Sequence, residues 1–192
     1  VREGILKVCH RLLAPHGIAF ISYNALPGCH LRTMLREMLL FHVRGFDSAN
    51  ERVLQAKALA QFLAQAQDAP DPYRLWMKAE SDTILEHDEG HLYHDELAEV
   101  SDPFYFTQFI EQAAAQGLQY LGEADYFEMF DHGFKPSVRQ TLAQLGKSRI
   151  LREQYLDFLK CRRFRQTLLC AQGVSLCAEP QAEPVLGFWI SS

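Results

Sequence analysis

Ile18-Ala19-Phe20-Ile21-Ser22-Tyr23-Asn24-Ala25-Leu26-Pro27-Gly28 is the stretch on which the fold turns. Its first four residues are apolar without alternation, and its end carries the turn-forming pair Pro27-Gly28. Upstream, Ile5, Leu6, Val8, Cys9, Leu12 and Leu13 recur at helical spacing until Pro15-His16-Gly17 stops the helix. The reading is helix, tight turn, strand. A strand that is apolar on both faces and follows a helix this closely belongs in a parallel α/β sheet, whose two sides are covered by helices.

Beyond Gly28 the strand signals stop, and helices occupy the chain to residue 101. Leu31, Met34, Leu35 and Met38 form one stripe, and Met34, Met38 and Phe41 are more consistent with core or a dimer face than with a ligand box. Ser48 with Glu51 has the pattern of a capping box ahead of Val53, Ala56, Leu59, Ala60 and Leu63. Asp71-Pro72 caps a third helix through Leu75, Trp76 and Ala79, with proline where its missing N–H costs nothing. A polar, histidine-rich loop follows from His87 to His94. Asp102-Pro103 then opens a helix through Phe106, Phe109, Ile110 and Ala113, and Leu118 to Ala124 reads as a strand. Pro136 and Ser148 start two more helices, the second with an apolar face of Ile150, Leu151, Tyr155, Leu156 and Leu159. Phe164 to Cys170 is the last strand. The order describes a helical insertion between neighbouring parts of one sheet.

The bulk properties narrow the function classes. Of 192 residues, 48% are hydrophobic and 22% charged, enough apolar material for a packed core. A formal charge of -5 argues against a partner held by phosphate neutralisation, so no nucleic acid is expected. Lys160, Arg162, Arg163 and Arg165 read as charges drawn to a helix C-terminus. No apolar run reaches the roughly 20 residues of a membrane-spanning helix. Cys9, Cys29, Cys161, Cys170 and Cys177 form no C-x-x-C pair, and a reducing cytoplasm is expected. The first residue is Val1, within an amphipathic pattern, so a fragment of a longer protein is expected.

Three separated words, Ile21 to Gly28, Gly117 to Ala124 and Arg162 to Cys170, together resemble a known family. The chain is similar, from residue 2 to 171, to bacterial S-adenosylmethionine-dependent methyltransferases with a methyltransferase regulatory domain. That group includes protein-lysine methyltransferases acting on outer-membrane proteins. The resemblance implies an α/β fold, mostly α by content: the C-terminal part of a Rossmann-like class I methyltransferase sheet with a large helical insertion. Residues 1–28 would be the last helix–strand unit of the core and 29–101 a regulatory or substrate-capping insertion. Residues 102–171 would return to the sheet, and 172–192 would begin a C-terminal domain. In such enzymes a glycine-rich turn binds S-adenosylmethionine. No G-x-G occurs in this chain, so the cofactor-binding motif is expected before Val1 and the fragment alone is expected to be inactive. Many relatives have tryptophan after Leu-Pro-Gly; Cys29 stands there in this chain.

Ligands of open α/β sheets bind beyond the carboxyl ends of the strands, which directs attention to Tyr23 and Asn24. Methyl transfer from a sulfonium needs alignment and, for an amine, removal of a proton; Tyr and Asn can orient the partners. The blander alternative is a strand end satisfied by its own turn. His94 is a candidate base because imidazole titrates near neutral pH, although a loop histidine is usually a surface group. His30, Tyr93, Asp95 and Phe106 are the expected acceptor contacts. His87, His91 and His94 with Asp88, Glu89 and Asp95 have types that suit zinc. Gly90, however, interrupts the helix that would put His87 and His91 on one face, and H-E-x-x-H is absent, so no metal is expected. The partner implied is a methyl acceptor, with protein lysine the nearest analogy and a homodimer left open. The rival reading is a non-catalytic helical module for interaction or dimerisation.

Overall fold

A computed structural model describes residues 2–66 and 71–177. It is a mixed α/β structure, mostly helical, with a three-stranded sheet. Helix α1 (Arg2–Leu12) leads to β1 (Ala19–Asn24), followed by α2 (Cys29–Val43), α3 (Ala49–Gln65) and α4 (Pro72–Glu86). A short helix α5 (Glu89–His91) runs directly into a π-helical turn, Leu92–Glu96. Then come α6 (Phe106–Ala115), β2 (Leu118–Glu123), a 3₁₀ turn (Tyr126–Met129), α7 (Pro136–Leu145), α8 (Arg149–Lys160) and β3 (Phe164–Ala171).

The three strands share one sheet in the order β1-β3-β2, but the expected parallel pairing is not found. Strand β3 lies between the others and is antiparallel to both, so β1 and β2 run in the same direction without touching. Leu121 is the extra residue of a bulge in β2, between the pairs Tyr120↔Leu169 and Gly122↔Leu168. Nor is β1 covered on both faces: Ala19 and Tyr23 are buried while Phe20 is 55% exposed. Among the described residues the helices cover one side of this strand. An uninterrupted apolar run does not reveal how many faces are covered by residues near at hand in the chain.

Local signals explain most helix ends. Asp71 accepts a hydrogen bond from the Arg74 amide at 3.2 Å with Pro72 at the first helical position, and Ser148 accepts from Leu151 at 3.2 Å. Ser48 occupies the N-cap of α3 but makes no capping hydrogen bond, so the expected capping box is not formed. Helix α6 starts at Phe106, later than Asp102-Pro103 suggests, because Asp102 ion-pairs with Arg2 and Phe104 bridges to Ala25 at the end of β1.

Apolar burial forms two clusters. The helical block packs Leu35, Leu39 and Val43 of α2 against Val53, Ala56 and Ala60 of α3, Met77 and Ile84 of α4, and Leu92 and Leu97. The sheet cluster joins Leu6, Tyr23, Phe104, Phe109, Ala113, Leu118 and Leu169. Helix α4 faces the block through Met77, Glu80, Ser81 and Ile84, while Leu75 of the expected stripe is exposed.

Helix α8 departs furthest from its sequence pattern. Its buried residues are Glu153, Gln154, Leu156 and Asp157, whereas Leu151 and Leu159 are exposed. The cause is Arg165 of β3, whose side chain is fully buried. Its Nε donates to Asp157 Oδ2 at 2.9 Å, and its Nη2 donates to Asp157 Oδ1 at 2.8 Å and to Glu153 Oε2 at 3.1 Å. Its Nη1 donates to Glu123 of β2, and the guanidinium lies 3.9 Å from the Phe106 ring centre. Burial works to lower the pKa of this guanidinium, but Asp157 and Glu123 outweigh it and hold the group above its ordinary value. A buried guanidinium cannot shed its charge, so the polar side of α8 must face inward.

Replacing Arg165 by Ala removes the shared cation of these buried carboxylates and leaves Arg162 alone against Glu153 and Asp157, and urea unfolding should show a loss of about 3–5 kcal/mol. Lys78→Ala, which removes an exposed i,i+4 pair with Asp82, should change stability by no more than about 0.5 kcal/mol. A Cβ at Gly28 would lie 2.3 Å from the Cys161 carbonyl oxygen. Gly28→Ala is therefore expected to lower the melting temperature, since a backbone clash is not relieved by side-chain rotation.

Candidate functional site

The C-terminal end of β1 opens into a cleft of about 560 Å³ between the sheet and the helical block. The strand supplies Tyr23 and Asn24, α2 supplies Arg32, α4 supplies Glu80, and the segment after α4 supplies His87, His91, Asp95 and Glu96. Arg163, at the start of β3, completes the charged lining. Three carboxylates, Glu80, Asp95 and Glu96, thus meet two guanidinium groups, Arg32 and Arg163. Arg32 pairs with Glu96 within the helical block, and Arg163 pairs with Glu80 across the opening, tying the block to the sheet.

Tyr23 is buried, with its ring stacked 4.7 Å from Phe104 and 4.3 Å from Phe109. Its hydroxyl lies 3.2 Å from Thr167 Oγ1, which is 3.1 Å from Glu123 Oε1. Thr167 has one hydroxyl proton and directs it to the carboxylate, leaving the Tyr23 hydroxyl as donor to Thr167. Burial raises this phenol well above its ordinary pKa, outweighing the lowering by Arg165. Tyr23 is therefore neutral, and the adjacent Asn24 is the more accessible end of the strand.

The histidines come together through a corner in the backbone. His87 caps the C-terminus of α4 in an extended conformation, and Asp88 accepts a hydrogen bond from the His91 amide at 2.8 Å to start α5. The imidazole rings of His87 and His91 approach to 4.0 Å between centres. His91 Nε2 is 3.3 Å from Asp95 Oδ2. Burial lowers the His87 pKa, and the neighbouring His91 adds to the effect. The Nδ1 atom of His87 is buried without a hydrogen-bond partner. This arrangement corrects the expectation that Gly90 keeps His87 and His91 on separate faces, because they meet across a cap rather than along one helix.

Of the residues expected at the site, Tyr23, Asn24 and Asp95 line the cleft. His94 is exposed and meets Tyr93 edge-on at 5.3 Å, while Tyr93 packs against the helical cluster. His30 is exposed on α2. Phe106 is fully buried beneath Arg165, away from the cleft. Cys29 is buried, with its Sγ donating to the Arg163 carbonyl at 3.0 Å, and burial pushes its thiol up. Arg32, Glu80 and Glu96 are lining residues that sequence reasoning did not single out, and His87 and His91 are weighed there only as metal ligands. The basic run near β3 is engaged internally: Lys160 and Arg162 on Glu128, Arg163 on Glu80, Arg165 in the core. Among the described residues no helix is long and apolar enough to cross a membrane.

The turn after β1 offers no cradle for a nucleotide-type cofactor. Gly28 does permit a close backbone approach, but its N–H donates to the Arg162 carbonyl at 3.1 Å and its open side faces the Cys161 carbonyl. The protein's own backbone fills the space, so this turn does not fit S-adenosylmethionine.

Residues 88–171 match the family model described as "Predicted methyltransferase regulatory domain". A Rickettsia prowazekii protein, RP789, is 36% identical over 177 residues, which is 92% of this chain and 32% of that protein. PKMT2 from Rickettsia typhi superposes with a TM-score of 0.82 at 33% identity, covering 95% of this chain and 34% of that one. The PKMT2 structure in complex with AdoHcy also superposes with a TM-score of 0.82, at 34% identity, over 92% of this chain and 34% of that one. The chain thus spans about a third of the length of these relatives. The resemblance carried by the three sequence words is borne out: the chain is similar to PKMT2 over nearly its whole length and to the regulatory-domain model over residues 88–171.

A lowered His87 pKa means that the unfolded chain binds more protons just below the ordinary histidine value of about 6.5. The contribution of His87 to stability is therefore present above that value and is lost as pH falls below it through the lowered value of the folded state. Thermal unfolding followed across this range should show a smaller acid loss for His87→Gln than for the parent; equal losses would remove the effect.

Proposed function

With residues 88–171 matching a methyltransferase regulatory domain, we propose that the chain forms the acceptor side of an S-adenosylmethionine-dependent methyltransferase with an amine acceptor of the protein-lysine type. The observation that carries this reading is the cleft where the β1 strand end meets Glu80, His87, His91, Asp95 and Glu96 of the helical block. In this reading the helical insertion, residues 29–101, covers the acceptor, residues 1–28 and 102–171 belong to the sheet-bearing core, and residues 172–192 lead to a further domain. Most of that last segment lies outside the described residues, which end at 177. The methyl donor is held by other parts of the longer enzyme, in keeping with the filled turn at Gly28 and with relatives three times this length.

A lysine side chain arrives as an ammonium, with a pKa near 10.4, and reacts only after losing a proton. The carboxylate excess in the cleft attracts the cation. Asn24 at the strand end orients the nitrogen, and the ring of Tyr23 is held in place by Thr167 and the phenylalanines behind it. His87, which lines the cleft, is placed to accept the proton; His94, outside the cleft, is not. S-adenosylmethionine supplies an electrophilic methyl group when bound, and the residues of this chain align and deprotonate the acceptor. The place of action is the cytoplasm, where that donor is made.

The second reading, a module for dimerisation, is favoured by the exposure of Phe41, Leu54 and Phe62 on α2 and α3. Sedimentation of the parent and of Phe62→Glu tests it: a dimer that dissociates on substitution supports this reading.

In the full-length protein, His87→Gln should lower methyl transfer to a lysine peptide by about 10²–10⁴-fold. Asn24→Ala should raise KM or lower kcat, and His94→Gln should leave both unchanged. Unchanged transfer by both His87→Gln and Asn24→Ala would overturn the assignment of this cleft.

A further inference from the structure

We propose that His87, His91 and Glu96 form a binding site for a divalent transition-metal ion of the zinc type, opening into the acceptor cleft. One nitrogen from each imidazole and one oxygen of Glu96 all lie within 4.8 Å of one another. Two imidazoles and a carboxylate are a donor set that suits Zn²⁺ and leaves a fourth position open. A tetrahedral ion with ligand bonds near 2.1 Å needs donors about 3.4 Å apart, so closure asks for side-chain adjustments of roughly an ångström.

Several features beyond proximity point to a ligand. The Nδ1 of His87 is buried without a partner, an orphan that a metal bond would satisfy. His91 Nε2 lies 3.3 Å from Asp95 Oδ2, a carboxylate placed as in the carboxylate–histidine arrangement that orients a metal-bound imidazole. The Leu97 amide bonds to the Leu92 carbonyl at 3.0 Å, closing the widened π turn that ends in Glu96, and such turns recur at functional sites. Glu96 is buried at 2% exposure beside these rings, an unusual place for a carboxylate whose partner Arg32 engages one of its oxygens. The charges facing the pair are Arg32 and Arg163 against Glu80, Asp95 and Glu96, a balance that still favours an added cation.

The inference extends the acceptor reading to regulation of the same cleft. A bound ion takes the His87 lone pair, so metal loading and proton acceptance exclude one another, and Zn²⁺ is expected to inhibit the proposed transfer. Binding itself requires neither methyl donor nor acceptor, so the site can be tested apart from activity.

Chelator-treated full-length protein is titrated with Co²⁺ and followed by visible absorption, then with Zn²⁺ in competition. One equivalent should bind, with the intense bands of a four- or five-coordinate ion. His87→Ala and His91→Ala should abolish those bands, and Asp95→Asn should weaken binding about 10–100-fold, while His94→Ala binds as the parent does. Near-UV circular dichroism of each variant shows that the fold persists, and Glu96→Gln serves as a milder change if an alanine variant fails to fold. Parent protein that gives no such bands, or bands that survive in both His87→Ala and His91→Ala, would overturn the site.

Discussion

Burial of the Arg165 guanidinium is the constraint around which the sheet half of this protein is organised. A group with five donors that cannot lose its charge is tolerated in a core only where acceptors surround it. Asp157 and Glu153 of α8 and Glu123 of β2 supply them, and the Phe106 ring closes the remaining side. One side chain of the central strand thereby holds a neighbouring strand and two helices. It also explains why α8 turns its carboxylates inward and leaves Leu151 and Leu159 exposed.

The same network reaches the cleft. Glu123 accepts from Thr167, Thr167 is bonded to Tyr23, and Tyr23 sits opposite Arg165 in the strand register. The strand end that opens into the cleft is thus held by hydrogen bonds rooted in the core. On the other wall, Glu80 and Glu96 are buried carboxylates on the helical block, paired with Arg163 just before β3 and with Arg32 of α2 respectively. Paired charges at the rim of a cavity resist rearrangement while leaving Asp95 and the two imidazoles accessible to a ligand. In the proposed function, this hydrogen-bonded strand end and the charged helical wall opposite it receive the cationic acceptor. The comparatively tight turn at Gly28, filled by backbone, is consistent with that reading.

Much of the architecture could be read from local signals. The turn at Pro15-His16-Gly17, the cap at Asp71-Pro72, Ser148, and the alternation of helical and strand patterns located the elements to within a few residues, because these signals act over one helical turn. The strand end at Tyr23 and Asn24 was legible for the same reason, through its position before Leu26-Pro27-Gly28. His87, His91 and Glu96 were not legible as a group, because a capping reversal and a π turn, neither marked by residue type, bring them together.

By itself the sequence determined the order of helices and strands, the helical block between them, and the family likeness, all of which depend on short-range pattern or on separated words in order. Strand direction, the inward face of α8 and the composition of the cleft were decided only in three dimensions. The reason is that a hydrophobic period records which residues prefer to avoid water, whereas Arg165 recruits partners 8, 12 and 42 positions away in the chain. A charge that must be neutralised inside a core overrides the local pattern, and its partners are known only when the chain is folded.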